Sequence, residues 1–166
     1  TTTSPATPVT ALFVGTGNSN VNGVYNFANT TATSDRAMGS IAANTNSAVG
    51  STSFYYGVKV TNNTGYTATT ATITYTGEQY RDGGNASGAA QSLLVDYSVN
   101  ATDLSSTLPN AWTNVPALTF TSPIHGIGSF VVLDGNAAAN RSAGITTTLT
   151  GLNIPNGSSI WVRWAD

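Results

Sequence analysis

The stretch that decides the fold is TATITYT, residues 70–76. Ala71, Ile73 and Tyr75 alternate with threonines at the even-numbered positions. Side chains of a β-strand point to opposite faces with a period of two, so the apolar residues share one face and the threonines the other. β-Branched threonine also suits the pleated surface of a strand. The stretch therefore predicts a half-buried strand with an outer face of hydroxyl groups.

The same two-residue period recurs on both sides of this strand. In residues 55–61, Tyr56, Val58 and Val60 share one face, and residues 93–99 carry a similar apolar row. No segment shows the period of an amphipathic helix. Further strands, separated by turn-forming residues, are predicted at residues 9–14, 22–28, 112–120, 128–134, 144–150 and 158–164. About nine strands predict an all-β fold, an antiparallel β-sandwich of jelly-roll type, with a closed barrel as the alternative.

The chain of 166 residues has a length that suits one domain. Its first ten residues, TTTSPATPVT, contain two prolines among hydroxyl residues, which disfavour a helix and favour extended backbone. We expect residues 1–10 to form a linker or an extended N-terminal arm. Residues 11–166 are then predicted to form a single β-sandwich domain.

Charge is scarce: only 7% of residues are Asp, Glu, Lys or Arg, and the formal net charge is −2. Such a surface has weak long-range repulsion, which favours association. The five Lys and Arg residues are scattered, so there is no basic surface for a phosphate backbone and no nucleic acid partner is expected. The chain is also 40% hydrophobic with an alternating pattern, which argues against disorder.

The chain has no cysteine, which excludes disulfides and zinc–thiolate sites. A secreted eukaryotic domain of this kind often carries disulfides, so their absence favours a bacterial exterior. No apolar run approaches the roughly 20 residues that a membrane helix needs, so no membrane insertion is expected.

The few charged residues adjoin in short stretches of the sequence. Acidic and basic residues so close together predict a paired, partly buried network at the strand ends. The stretches are Asp35–Arg36, Glu78 with Arg81 and Asp82, Asp134 with Arg141, and Arg163 with Asp166.

Calcium is the alternative interpretation of these acidic residues. This ion takes several carboxylate and carbonyl oxygens as ligands, although the spacing here matches no EF-hand loop. The candidate ligands are Glu78, Asp82, Asp134 and Asp166. No other cofactor is expected.

No catalytic centre is predicted. The single histidine, His125, falls in a predicted loop, and the chain has no Gly-x-Ser-x-Gly motif to supply an activated serine. Glu78 is the only glutamate, and its place beside Asp82 and Arg81 favours charge pairing over the two-carboxylate chemistry of a glycosidase. Lys59, the only lysine, is expected to be an exposed strand residue rather than a partner in an internal amide bond.

Aromatic residues are the candidate ligand-binding groups. Carbohydrate modules on sandwich folds pack sugar CH groups against exposed aromatic rings. The candidates are Tyr55, Tyr66, Tyr80 and Trp112. Trp161 and Trp164 are predicted to lie on opposite faces of one strand, so at most one of them points outwards.

Five segments together resemble a β-sandwich module found in large secreted and cell-surface bacterial proteins. They are SDRAMGS (34–40), FYYGVKVTNNTG (54–65), ITYTGEQYRDGG (73–84), LDGNAAANR (133–141) and GLNIPNGSSIWVRWAD (151–166). The resemblance implies a sandwich fold and a bacterial extracellular or cell-surface location, but the module has no settled activity. The chain departs from it in having Tyr80 where a tryptophan is common. Relatives also continue past Asp166 into a final strand, so either the boundary was cut there or that strand is missing. A sandwich that lacks a strand exposes an unpaired edge or groove, which the extended arm of another subunit, such as residues 1–14, is able to fill. The preferred alternative is that residues 1–14 form an ordinary first strand of their own domain.

These observations predict a non-enzymatic extracellular structural or adhesive module. Its expected partners are other copies of itself or neighbouring surface modules, joined by strand addition into a surface assembly or filament. The alternative is a carbohydrate-binding module of a secreted bacterial enzyme, with polysaccharide as the ligand.

Overall fold

The structure is a computed structural model that describes residues 12–29, 35–41, 54–106, 108 and 111–166, so the predicted arm at residues 1–10 lies outside the described residues. Strands dominate the described residues, with two short 3₁₀ helices, Pro116–Leu118 and Ala138–Asn140. No helix in this part of the chain is long and apolar enough to span a bilayer. The strands are β1 (Phe13–Gly15), β2 (Gly23–Ala28), β3 (Arg36–Ile41), β4 (Tyr55–Thr61), β5 (Ala71–Glu78), β6 (Arg81–Gly83), β7 (Ser92–Ser98), β8 (Thr113–Asn114), β9 (Phe120–Thr121), β10 (Phe130–Val132), β11 (Arg141–Leu149) and β12 (Ser159–Ala165).

The strands form several sheets, which confirms the predicted all-β, sandwich-like fold. The largest sheet has the order β4-β12-β7-β8, and β9 also pairs with β7. A second sheet has the order β1-β2-β3, and two ribbons pair β5 with β11 and β6 with β10. All these pairings are antiparallel except that of β1 with β2, which is parallel. The jelly-roll type of the sandwich stays a prediction.

Strand β5 shows the predicted alternation. Ile73 and Tyr75 are half-buried and pack against the main core, while the threonines between them are exposed. Across the pair with β11, the hydroxyls of Thr74 and Thr146 are hydrogen-bonded at 2.7 Å, and those of Thr72 and Thr148 at 2.9 Å. The outer face is therefore a neutral surface of paired hydroxyl groups.

The main core lies between the largest sheet and the β5–β11 ribbon. Val95 and Leu118 are completely buried, and Ile160 and Val162 of β12 pack with them. Complete burial of an aliphatic side chain stabilises a fold by about 1.5–3 kcal/mol. Trp164 also packs here, whereas Trp161 lies on the other face of β12, as the two-residue period predicts.

A second core is built from a continuous stack of aromatic rings. Phe13, Tyr25, Phe27 and Tyr80 stack in this order, with centroid distances of 5.1, 5.2 and 5.0 Å. Offset-stacked rings at such distances add about 0.5–1.5 kcal/mol per pair to the burial of the rings. The stack fixes the β1-β2-β3 sheet to the connection between β5 and β6.

The predicted strand at residues 112–120 is broken into two pieces. Pro116 begins a 3₁₀ helix that separates β8 from β9, and Leu118 at its end is completely buried. Proline has no N–H group for a sheet ladder, but its fixed φ suits the first turn of a helix. The prediction of one continuous strand was therefore wrong here.

Strand β3 was not predicted, because its sequence, RAMGSI, contains few β-branched residues. The structure shows why a small residue stands in it. A Cβ atom at Gly39 would lie only 3.0 Å from the ring of Phe27, so the ring packs directly on the strand backbone. This long-range contact has no signature in the local pattern of residues.

Candidate functional site

An open cleft of about 1090 Å³ separates β3 from β4. All of β3 lines one side, and residues 56–58 of β4 line the other. Within the described residues, β3 pairs only with β2 and β4 pairs only with β12. Each strand therefore keeps one edge whose N–H and C=O groups have no strand partner in the described part of the chain, and such edges are templates for pairing with another chain.

Several aromatic residues line the cleft, and two of them, Trp164 and Tyr75, pack against the main core. Trp164 packs edge-on against Tyr75 with 5.2 Å between ring centroids, and stacks against Tyr56 at 6.1 Å. Phe120 packs so closely under Gly77 that its ring would overlap a Cβ atom there. The cleft thus reaches the apolar interior, and a segment that fills it would cover apolar surface.

A half-buried polar network joins the walls where β3 ends and β4 begins. The Ser40 hydroxyl donates a hydrogen bond of 2.6 Å to the carboxylate of Asp166, and it also interacts with the Tyr56 hydroxyl. Burial raises the pKa of Tyr56 far above its ordinary value, and the charge of Asp166 raises it further. A buried, protonated Tyr56 therefore helps to hold the two walls together at this end.

Exposed apolar side chains stand at the rims of the cleft. Met38 on β3 is 50% exposed, and Val58 on β4 is 48% exposed. Val60, the next residue on the same face of β4, is exposed as well. Burying such side chains gains about 25 cal/mol per Å² of apolar surface, so the rims favour contact with an apolar partner.

Two of the predicted sugar-binding residues enclose a cation. The guanidinium of Arg163 lies 4.2 Å from the ring centroid of Tyr55 and 3.9 Å from that of Trp112. Arg163 also forms an ion pair with Asp96 at 3.0 Å, and the Trp112 indole N–H donates to the carbonyl of Ser106. Each ring therefore has one face occupied by Arg163.

The other two predicted sugar-binding residues lie in different environments. Tyr80 is only 4% exposed and belongs to the aromatic stack, whereas Tyr66 is 81% exposed. Tyr66 lies beyond the end of β4, where Asn62 binds its carbonyl, and Tyr55 lies at the start of this strand. At about 3.3 Å per residue, the strand separates these two tyrosines by roughly 20 Å. The structure does not assemble the four predicted residues into one aromatic platform.

The four predicted calcium ligands make separate hydrogen bonds. No group of three or more His, Cys, Asp or Glu side chains is placed to hold one metal ion within the described ranges. Glu78 accepts a hydrogen bond from the Tyr80 hydroxyl, and Asp82 accepts hydrogen bonds from the backbone amides of Gly84 and Ile127. Asp134 accepts one from the Asn136 amide, and Asp166 accepts one from the Ser40 hydroxyl.

The predicted pairing of neighbouring charges is wrong. Among the described residues the one ion pair joins Arg163 to Asp96, not to Asp166. Arg81 donates to the carbonyl of Ser19 and lies 4.8 Å from the ring of Phe130. Sequence proximity was a poor guide because strand register, not chain distance, places Asp96 directly opposite Arg163.

The remaining candidates lie where the sequence predicted them. His125 is exposed in a loop, with Nδ1 3.3 Å from the carbonyl oxygen of Gly88. Lys59 is exposed on β4, and its ammonium lies 5.3 Å from the ring centroid of Trp161. The cleft residues Met38 and Ser40 were missed because β3 itself was not predicted.

Comparison of the chain with protein-family models, with curated proteins and with solved structures found no match.

Proposed function

We propose that this chain is a non-enzymatic module of a bacterial cell surface that assembles with other copies of itself, or with neighbouring surface modules, by strand addition. The observation that supports this function is the open cleft, where two strand edges that have no partner among the described residues stand beside exposed Met38 and Val58. An added strand gains affinity from main-chain hydrogen bonds and specificity from pockets for its alternate side chains.

The dimensions of the edges suit an ordinary partner strand. β3 has six residues and β4 has seven, so at about 3.3 Å per residue each edge is roughly 20 Å long. Natural proteins usually block exposed edges with charged residues or proline. Between Ala37 and Ile41, β3 has neither, so most of this strand lacks such blocking residues.

Composition supports the same function. With only 7% charged residues, neighbouring modules repel each other little. The paired threonine hydroxyls on β5 and β11 also give a neutral face that tolerates close packing of other modules. The resemblance to secreted bacterial modules and the absence of cysteine support the extracellular location.

The carbohydrate-binding alternative has less support. Tyr80 is in the core, and Arg163 occupies one face of both Tyr55 and Trp112. Of the four predicted residues, Tyr66 alone is a largely exposed ring.

The test is the assembly state of the purified chain, measured by light scattering and negative-stain microscopy. We expect oligomers or filaments from the native chain and monomers from Met38→Lys and from Val58→Lys. Leu94→Lys is the matched control, because Leu94 is 49% exposed and does not line the cleft. A native chain that stays monomeric as concentration rises would overturn the proposal. Both cleft variants assembling like Leu94→Lys would do so as well.

A further inference from the structure

We infer that the cleft of one copy receives the β1 edge of the next copy, so that the assembly is head-to-tail and the β1-β2-β3 sheet continues from copy to copy. This inference rests on the proposed function of the cleft, and it names the partner surface. The order β1-β2-β3 supports it, because β1 and β3 are the two opposite edges of one sheet.

Strand β1 presents an apolar surface at one edge of its sheet. Leu12, Phe13 and Val14 are all exposed, and Val14 is 68% exposed. Within the described residues, β1 pairs only with β2 and leaves its outer edge open. Contiguous exposed apolar side chains of this kind mark interaction surfaces.

The side chains of β1 have two different roles. Phe13 stacks on Tyr25 at 5.1 Å and so fixes β1 to its own sheet. Because strand side chains alternate, Leu12 and Val14 point to the opposite face, where they are available to another copy. The strand therefore stays in place in its own copy while it offers its free edge and two aliphatic side chains.

The two surfaces match in charge and in chemistry. Residues 12–29 contain no charged side chain, and neither do residues 37–41 of β3. Contact between the two edges therefore pairs two neutral stretches of strand, although Arg36 and Asp166 also line the cleft, and it places Leu12 and Val14 near Met38 and Val58. The gain is apolar burial in addition to new main-chain hydrogen bonds.

The two surfaces differ from each other, which determines the symmetry. A contact between unlike surfaces is heterologous, and it gives a ring where the rotation closes or an open filament where it does not. Two strand spacings of about 4.8 Å separate β1 from β3, so each copy extends a shared sheet by three strands.

The test mixes two variants, each with one of the two proposed contact surfaces blocked. Val14→Lys places a charge on the β1 edge and leaves the cleft intact. Met38→Lys places a charge in the cleft and leaves the β1 edge intact. We expect each variant alone to be monomeric by light scattering, and an equimolar mixture to form dimers and nothing larger. The dimer arises because the β1 edge of the Met38→Lys copy enters the cleft of the Val14→Lys copy. Leu94→Lys again serves as the control and assembles like the native chain.

The outcomes separate the two proposals. If Val14→Lys assembles like the native chain while Met38→Lys does not, the cleft function stands and the β1 inference is overturned. A mixture that stays monomeric overturns the inference too, because the two surfaces are then not partners. A monomeric native chain overturns both.

Disulfide trapping gives an independent readout, since the chain has no cysteine of its own. A mixture of Val14→Cys and Met38→Cys copies is expected to form a covalent dimer under mild oxidation, because paired strands bring Cα atoms within disulfide range. A mixture of Val14→Cys and Leu94→Cys is the control. Equal yields from the two mixtures would count against the inference.

Discussion

Arg163 in β12 and Asp96 in β7 lie directly opposite each other in register and form an ion pair, with 3.0 Å between Arg163 Nη2 and Asp96 Oδ2. Arg163 Nη1 also donates to the carbonyl of Leu104 at 2.9 Å. One buried cation thus joins two strands to the connection that follows β7. The rings of Tyr55 and Trp112 pack against its guanidinium and leave the side chains of the ion pair only 11% and 15% exposed.

Replacing Arg163 with methionine is expected to destabilise the fold by about 3 kcal/mol, because the Asp96 carboxylate then stays largely buried without its cation. The measurement is the free energy of unfolding in urea at neutral pH. Arg141→Met is the control: Arg141 is exposed, and its loss is expected to change stability by less than about 0.5 kcal/mol. Equal stability of the two variants would show that the Arg163 ion pair contributes little.

Trp112→Ala is expected to lower stability by about 2 kcal/mol, since it removes a cation–π contact with Arg163 and a packed indole ring. Tyr66→Ala is the matched aromatic control, and because its ring is 81% exposed it is expected to be nearly neutral. Thermal unfolding followed by circular dichroism distinguishes the two. If Trp112→Ala were as stable as Tyr66→Ala, the Trp112 ring would contribute little to stability and would again be a candidate ligand-binding ring.

Gly57→Ala is expected to cost about 3 kcal/mol, because the new Cβ atom would lie 2.1 Å from the backbone carbonyl oxygen of Val162. Gly83→Ala is the control in another strand, where a Cβ atom meets nothing within 4 Å. The stability of that variant is expected to be unchanged or raised by a few tenths of a kcal/mol, because alanine lowers the conformational entropy of the unfolded chain. The comparison of melting temperatures tests how closely β4 and β12 pack beside the cleft. It would contradict the structure if Gly57→Ala melted at the native temperature.

The hydroxyls of Thr72 and Thr148, 2.9 Å apart on the outer face of β5 and β11, are expected to be coupled by about 0.5 kcal/mol. A double-mutant cycle with Thr72→Val and Thr148→Val measures this coupling, and valine preserves the shape and strand preference of threonine. Thr76→Val combined with Thr148→Val is the control cycle and should be additive. Additivity in both cycles would mean that the hydroxyl pairs do not stabilise the sheet.

The sequence predicted those strands whose apolar residues alternate over several positions. Residues 70–76 predicted β5 and its threonine face, because alternation is a local property of the strand itself. Strand β3 could not be found this way, since Gly39 is explained only by the ring of Phe27 packing on it. Pro116 was a local signal against a continuous strand at 112–120, and the strand prediction did not use it.

The place of the cleft could not be predicted from the sequence. An unpaired edge or groove was one of the alternatives that the resemblance left open, but its walls depend on which strands lack a partner, and strand order is set by long-range pairing. Tyr80 illustrates the same limit. It was predicted to be a ligand-binding aromatic residue, yet Phe27 from another sheet stacks on it and makes it part of the core.

Stability at alkaline pH follows from the buried tyrosines. Burial is the main cause that raises the pKa of Tyr56, Tyr75 and Tyr80 above the ordinary value, and the hydrogen bond from Tyr80 to Glu78 raises it further. In the unfolded chain these phenols lose their protons near pH 10. Above that pH the native state holds more protons than the unfolded state, so the free energy of unfolding falls as pH rises. Below pH 10 both states are protonated and the contribution is constant.

Each tyrosine that stays protonated in the native state contributes a slope of about −1.4 kcal/mol per pH unit above pH 10. Tyr56→Phe is therefore expected to lose stability at pH 7, because its hydroxyl interaction with Ser40 is gone, yet to show a shallower decline between pH 10 and 11 than the native chain. Tyr66→Phe, at an exposed ring, is the control and should keep the native slope. Urea unfolding at a series of pH values gives both quantities for each variant. If Tyr56→Phe declined as steeply as Tyr66→Phe, the Tyr56 hydroxyl at the end of the cleft would ionise as freely in the folded protein as in the unfolded chain.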